Sequence, residues 1–261
     1  MPSVSLACSP LAGGAPASVS YREAGSGAAL IFLHGGWGYE IYPLELAGLA
    51  GFRVIIPDRS GYGRSTPVEE LPPDFHRRAM WETVGVLDAL GIERAVWWGH
   101  SDGAVIAAWA GIEVPHRTSA VVLESLHFTA VKPRSRAFFE QMATDPDAFG
   151  PRIGARLAAE HGADRWRDIL RLDGHAWLDL AASAEVDLFG GRLSAVAAPA
   201  MVIHGGQDPR TEPGELAAIM AALPGARLSY HAGGRHSPHS ESAVAEAVLA
   251  DVADFVTAVT V

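Results

Sequence analysis

Residues 96–104 read Val96-Trp97-Trp98-Gly99-His100-Ser101-Asp102-Gly103-Ala104. The apolar run that begins near Arg94 reads as a buried strand, and residues 104–110 have helical composition. Between them, Gly99-His100-Ser101-Asp102-Gly103 forms a G-x-S-x-G pattern. A serine at a sharp strand-to-helix turn points its hydroxyl out of the sheet. The flanking glycines are needed because side chains there would meet neighbouring backbone. Ser101 then sits at a helix N-terminus, where free N–H groups and the helix dipole favour negative charge. These are the needs of an acyl-transfer nucleophile. The five-residue pattern alone is a common small loop; the strand before it and the helix after it give it meaning.

The rest of the chain bounds the answer. Its 261 residues suffice for one large domain with a sizeable core. With 49% hydrophobic and 19% charged residues, it reads as globular rather than disordered. The net charge of −10, with arginine used almost to the exclusion of lysine, argues against nucleic acid or an anionic membrane as partner. A single cysteine, Cys8, permits no internal disulfide and suits a reducing compartment, so a cytoplasmic location is expected. The start, Met-Pro-Ser-Val-Ser-Leu, lacks the features of a signal peptide. No apolar run reaches spanning length, so no membrane segment is expected.

Taken in order, residues 19–23 read as an early edge strand and 28–33 as a central strand running into His34-Gly35-Gly36-Trp37-Gly38. Glycines just after a strand let backbone N–H groups approach a bound oxygen, although a plain tight turn would use them too. Residues 44–50 suggest a short helix and 52–57 a buried strand. Asp58 to Ser65 reads as tight turns. Residues 75–90 carry apolar positions at helical spacing and stop at Gly91, a C-cap. A strand follows at 119–124. Residues 126–192 break the alternation, with helices expected at 135–144, 153–161, 166–172 and 176–184. Strands then return at 200–204 and 227–231, with helices at 214–222 and 243–259. The expectation is an α/β core (1–125 and 193–261) with a mostly parallel sheet flanked by helices, interrupted by a helical cap (126–192).

Ligands of an open parallel sheet gather at the carboxyl ends of its strands. Ser101 follows one strand, Asp208 another, and His236 the last. A serine hydroxyl needs an imidazole to take its proton and a carboxylate to orient that imidazole. The order Ser101, Asp208, His236, together with His34-Gly35-Gly36, Asp58 to Ser65, Gly205-Gly206-Gln207-Asp208 and Gly233 to Pro238, resembles the α/β-hydrolase family in its capped, cofactor-independent branch. The resemblance covers nearly the whole chain. It implies an α/β-hydrolase fold, with Ser101 as nucleophile, His236 as base and then acid, and Asp208 orienting His236. It also implies an oxyanion hole from the backbone N–H of Asp102 with that of Gly36, or alternatively of Trp37. One such donor is typically worth about 3–4 kcal/mol in the transition state.

Other residues have simpler readings. His34, His100, His127, His204, His231 and His239 read as structural, hydrogen-bonding or surface histidines. The pair His236 and His239 has metal-like spacing, but Pro238 interrupts it and no ligand pattern surrounds it, so no metal and no cofactor are expected. Phe128, Phe138, Phe139, Met142, Trp166, Trp177 and Phe189 read mainly as packing between insertion and core, with some free to line a small-molecule pocket. Arg134, Arg136, Arg152 and Arg156 read as a solvated surface mixed with acidic residues. Asp102 reads first as a structural residue of the turn, a carboxylate in the first helical turn that meets the helix dipole; the alternative is a side chain that attracts a substrate cation, such as the ammonium of an amino ester. The leading expectation is a serine hydrolase of a small ester, thioester or lactone. Its rivals are a C–C bond hydrolase of a diketone acid, which would need a buried arginine from the cap, and a ligand receptor that retains the triad.

Overall fold

The computed structural model describes residues 1–183 and 187–260. Eight strands form one sheet: β1 (Ser3–Leu6), β2 (Ala17–Ala24), β3 (Ala28–Leu33), β4 (Phe52–Pro57), β5 (Ala95–His100), β6 (Thr118–Glu124), β7 (Ala200–Gly205) and β8 (Arg227–His231). Their order is β1-β2-β4-β3-β5-β6-β7-β8. β1 and β2 pair antiparallel, as do β2 and β4; the pairs from β4 through β8 are parallel. Seven α-helices accompany them among the described residues: α1 (Phe75–Ala89), α2 (Asp102–Glu113), α3 (Arg136–Thr144), α4 (Pro151–His161), α5 (Trp166–Ala182), α6 (Glu215–Ala222) and α7 (Ala245–Thr260).

The central strands are continuous apolar runs because both of their faces are covered. Alternate residues of β3 and β5 serve opposite faces. Ile31, Leu33 and Trp97 join the core beneath α1 and α2. Leu30, Phe32, Val96 and Trp98 join Val248, Val252 and Val256 of α7. All seven of the β3 and β5 side chains named are essentially inaccessible.

Three differences from the sequence expectation have local causes. β2 is not the edge strand: β1 pairs along it, burying Val4 and Leu6 on alternate positions. Residues 44–50 form only a short 3₁₀ turn at Ala47–Leu49. The two helices expected at 166–172 and 176–184 are one helix, α5, which runs through Gly174 (Ala184 lies outside the described residues). Gly174 does not end the helix because its missing side chain is used for packing. A Cβ there would lie 2.6 Å from the Ala143 nitrogen and 2.8 Å from the Phe139 oxygen, so α3 can lie directly on α5.

Helices α3, α4 and α5 are inserted between β6 and β7. The chain's one lysine, Lys132, fastens the entrance to this insertion. Its Nζ donates to both Glu215 carboxylate oxygens at 2.6 Å, and neither side chain is accessible. Glu215 also accepts the backbone N–H groups of Phe128 at 2.8 Å and Thr129 at 3.0 Å. Removing one partner of such a buried pair leaves the other charge uncompensated, at a cost of about 3–5 kcal/mol. Glu215→Ala is therefore expected to lower unfolding free energy by about that amount. Urea unfolding checks it, and a loss within experimental error of zero would show that the pair does not hold the segment.

Candidate active site

Ser101 follows the last residue of β5 and precedes α2, with φ 57° and ψ −118°. That backbone region is sparsely populated for a residue with a side chain and costs on the order of 1–3 kcal/mol. The surroundings hold it there: the Ser101 N–H donates to the Glu124 carbonyl at 3.0 Å, and the Ser101 carbonyl accepts from Ala104 at 2.9 Å. The flanking glycines are required by contact. A Cβ on Gly99 would lie 1.9 Å from the Gly103 oxygen, and one on Gly103 would lie 1.9 Å from the Leu33 oxygen.

The turn presents the serine hydroxyl to His236. Ser101 Oγ lies 3.1 Å from His236 Nε2, and His236 Nδ1 lies 2.9 and 3.0 Å from the two Asp208 oxygens. Asp208, being an acceptor, fixes the proton on Nδ1 and leaves Nε2 to accept from the serine. All three residues are buried. Burial and the nearby Arg210 charge push the His236 pKa below its ordinary value, although Asp208 opposes them. Burial also acts against the Asp208 charge, but its attraction to and hydrogen bonds with His236 hold the carboxyl below the usual range. The resting arrangement is thus a neutral imidazole between a hydroxyl and a carboxylate, which is competent to take the serine proton.

The turn after β3 lies against this centre. Gly35, Gly36 and Trp37 border the same cavity as Ser101. Among the described residues, the backbone N–H groups of Gly36, Trp37 and Asp102 have no acceptor in a turn or loop. The Trp37 ring stacks on Phe138, and its Nε1 donates to Met142 Sδ at 3.4 Å. The Trp37 carbonyl faces His161 Nε2 at 3.0 Å. The inserted helices therefore set the position of this loop.

Asp102 takes the structural one of its two expected roles and is not free to meet a substrate cation. Its Oδ1 accepts Trp177 Nε1–H at 3.0 Å and lies 3.4 Å from His76 Nε2, and its Oδ2 lies 3.6 Å from Arg59 Nη2. Burial opposes its charge, but the adjacent His76 ring and the Arg59 guanidinium keep its carboxyl below the usual range. Asp173 of α5 is the opposite case, pushed well above that range by burial and by the Asp102 charge. The carboxylate beside Ser101 is tied off by the core and the insertion together.

His127 is more than a packing histidine. Its Nε2 lies 3.3 Å from Ser101 Oγ, and its ring stacks on that of His236 with centroids 5.4 Å apart. Ser101 therefore stands between two imidazoles. Burial and the Lys132 charge push the His127 pKa well below its ordinary value, leaving it neutral. The signal was available: His127 stands just past the carboxyl end of β6, where ligands of such sheets gather. His239, by contrast, is bound into the core, with Nδ1 2.8 Å from Glu124 Oε1 and Nε2 2.8 Å from the Tyr42 carbonyl.

Of the insertion's aromatic residues, Phe138, Phe139 and Trp177 border the cavity at Ser101. Arg136 pairs with Glu140 on the surface, as its mixed-charge setting suggested. Arg210, from the loop after β7, also borders the cavity. The free volume beside Ser101 is about 20 Å³, room for about one water. A larger hollow of about 370 Å³ lies beyond His76, lined by Trp109, Leu180 and Phe189, but it does not reach Ser101.

The sheet order, the strained serine turn and the inserted helices define an α/β hydrolase architecture. The chain belongs to the alpha/beta hydrolase family, whose sequence pattern it matches over residues 30–250. It is 38% identical over 113 residues to a 2-hydroxy-6-oxo-6-phenylhexa-2,4-dienoate hydrolase of Comamonas testosteroni, covering 40% of this chain and 38% of that protein. It is 42% identical over 78 residues to epoxide hydrolase A of Mycobacterium tuberculosis, covering 30% of this chain and 24% of that one. The matches thus span well under half the length of either relative. The fold is shared with the enol-lactonase of Burkholderia xenovorans LB400 at a TM-score of 0.70 and 22% identity, over 97% of this chain and all of that one. No helix among the described residues is long and apolar enough to cross a membrane.

Two outcomes follow from the site's electrostatics. A protonated His236 cannot accept the serine proton, so activity is lost as pH falls through its pKa. Because that pKa is lowered, the acid limb of kcat/KM is expected below about pH 6.5. A pH–rate profile with its limb above pH 7 would contradict this environment. His127→Gln is expected to slow acylation of Ser101 by about tenfold, the scale of one hydrogen bond to the nucleophile. Single-turnover kinetics that match wild type would return His127 to a packing role.

Proposed function

We propose that the protein is a serine hydrolase that cleaves a small ester, thioester or lactone through an acyl-enzyme. The observation that carries this reading is the unbroken hydrogen-bond chain from Ser101 Oγ through His236 to Asp208 at the strained turn. In the first step Ser101 Oγ attacks the carbonyl carbon while His236 Nε2 takes the hydroxyl proton. The carbonyl oxygen gathers negative charge and is met by the backbone N–H of Asp102 and that of Gly36 or Trp37. His236 then gives its proton to the leaving group. Water, deprotonated by the same imidazole, releases the acid in the second step. Asp208 stabilises the imidazolium in both.

Residues 126–192 serve in this reading as a cap that excludes water and shapes the acyl pocket. The small free volume beside Ser101 favours a short acyl group, or a cap that shifts to admit a longer one. The single cysteine suits a reducing, cytoplasmic setting. A second reading, C–C bond hydrolysis of a diketone acid on the same residues, is favoured by the name of the Comamonas relative. A substrate panel containing both activated esters and dienone acids separates the two.

The central test is covalent. A fluorophosphonate probe is expected to label Ser101, and Ser101→Ala to abolish labelling and lower kcat by about 10³-fold or more. His236→Ala is expected to lose most activity. His239→Ala should instead lower thermal stability, since it strips the partner from buried Glu124. Labelling at another serine, or undiminished turnover in Ser101→Ala, would overturn the assignment.

A further inference from the structure

Arg210 stands two residues past Asp208 and borders the cavity that holds Ser101. Its guanidinium carbon lies 3.8 Å from the centroid of the Phe138 ring. Stacking of that kind occupies the face of the guanidinium and leaves the N–H groups at its edge available. The backbone is held at both ends of the residue: the Arg210 N–H donates to Asp208 Oδ1 at 2.8 Å, and its carbonyl accepts from Lys132 Nζ at 3.3 Å. Among the described residues, its guanidinium has no hydrogen-bond acceptor and no carboxylate within ion-pair distance.

The other cations packed around the site are matched. Arg59 donates to the His34 carbonyl at 2.5 Å and faces Asp102, and Lys132 is held by Glu215. The carboxyls around Arg210 are already committed as well. Asp208 is bound to His236 and Asp102 to Trp177, and Asp173 faces the Tyr62 hydroxyl at 3.4 Å, with burial and the Asp102 charge acting against its ionised form. Arg210 is therefore a positioned positive charge with open donors, at the cavity of a chain whose net charge is −10 and which as a whole repels anions.

We propose that Arg210 anchors a carboxylate of the substrate, so that the preferred substrates are esters, thioesters or lactones of acidic molecules. This rests on the serine hydrolase reading above. A carboxylate accepts two parallel N–H groups from one guanidinium, a geometry that an ammonium cannot reproduce. The backbone of the anchor comes from the core loop that also carries Asp208, while its guanidinium rests on Phe138 of α3, so the core loop and the insertion together set its place beside the serine.

The test compares kcat/KM for two ester pairs. One pair is 4-nitrophenyl hemisuccinate against 4-nitrophenyl butyrate, with the acid on the acyl side. The other is 4-acetoxybenzoate against phenyl acetate, with the acid on the leaving group. Wild type is expected to prefer the acidic member of at least one pair by about 10- to 100-fold. Arg210→Gln should remove most of that preference, Arg210→Lys should keep part of it, and Arg136→Gln at the surface should leave it intact. Fluorophosphonate labelling of each variant confirms a folded serine turn. No preference in either pair, or a preference that Arg210→Gln does not reduce, would overturn the anchor. If no ester is turned over and Ser101 is not labelled, the hydrolase reading fails separately. The anchor is then judged by calorimetric titration of succinate: binding at least about tenfold weaker in Arg210→Gln supports it, and equal or absent binding in both proteins overturns it.

Discussion

A serine held at φ 57° is the constraint on which the other features of this protein depend. The conformation is unfavourable in isolation, and Ser101 adopts it because β5, β6 and α2 leave no alternative. The Glu124 carbonyl holds its N–H, and two glycines allow backbone atoms to approach where any side chain would collide. The same turn aims the hydroxyl at His236 and frees the Asp102 N–H at the start of α2. Strain here has a function: it places a reactive group outside the sheet plane while the main chain continues into a buried helix.

Charge is distributed around that turn with little excess. Asp58 is matched by Arg22, Glu124 by His239, and Glu215 by Lys132. Asp102 and Asp173 lie close enough that the Asp102 charge helps push the Asp173 carboxyl above its ordinary range, and Arg59 faces Asp102. Buried ions of this kind add little net stability, but breaking any one pair leaves a costly orphan, so they fix where segments sit. Three of these contacts join separate parts of the chain: β6 to the loop after β8, the residues after β6 to α6, and α5 to the serine turn. Arg210 stands apart because its cation is left without a carboxylate in a site where the others are matched.

The inserted helices contribute to the site as well as covering it. Trp177 donates to Asp102, Trp37 of the turn after β3 donates to Met142, and His161 holds the Trp37 carbonyl. The turn after β3 is thus positioned partly by residues more than a hundred positions away in sequence. A movement of the inserted helices would disturb both the loop, through α3 and α4, and the Asp102 carboxylate, through α5.

The sequence by itself determined the alternation of strands and helices, and with it the parallel sheet. Local chemistry is sufficient there: apolar runs bounded by glycines, helical spacing in 75–90, and a serine between two glycines at a strand end. It also determined which residues stand at strand ends, which is why Ser101, Asp208 and His236 were legible before any coordinates. The tertiary structure decided what depends on distant partners. The gap expected between 172 and 176 is closed because Gly174 serves as a packing surface for α3, a role set by the helix opposite. Asp102 leaves two readings open in sequence, and what settles it as structural is enclosure by Trp177, His76 and Arg59, from three different segments. His127 and Arg210 look ordinary in sequence because a histidine or arginine in a loop carries no signal of its own. Their proximity to Ser101 arises only when the carboxyl ends of β6 and β7 are brought beside that of β5. Side-chain spacing along one element is fixed by local geometry, whereas the charge, burial and open donors of a loop residue are fixed by what the fold places around it.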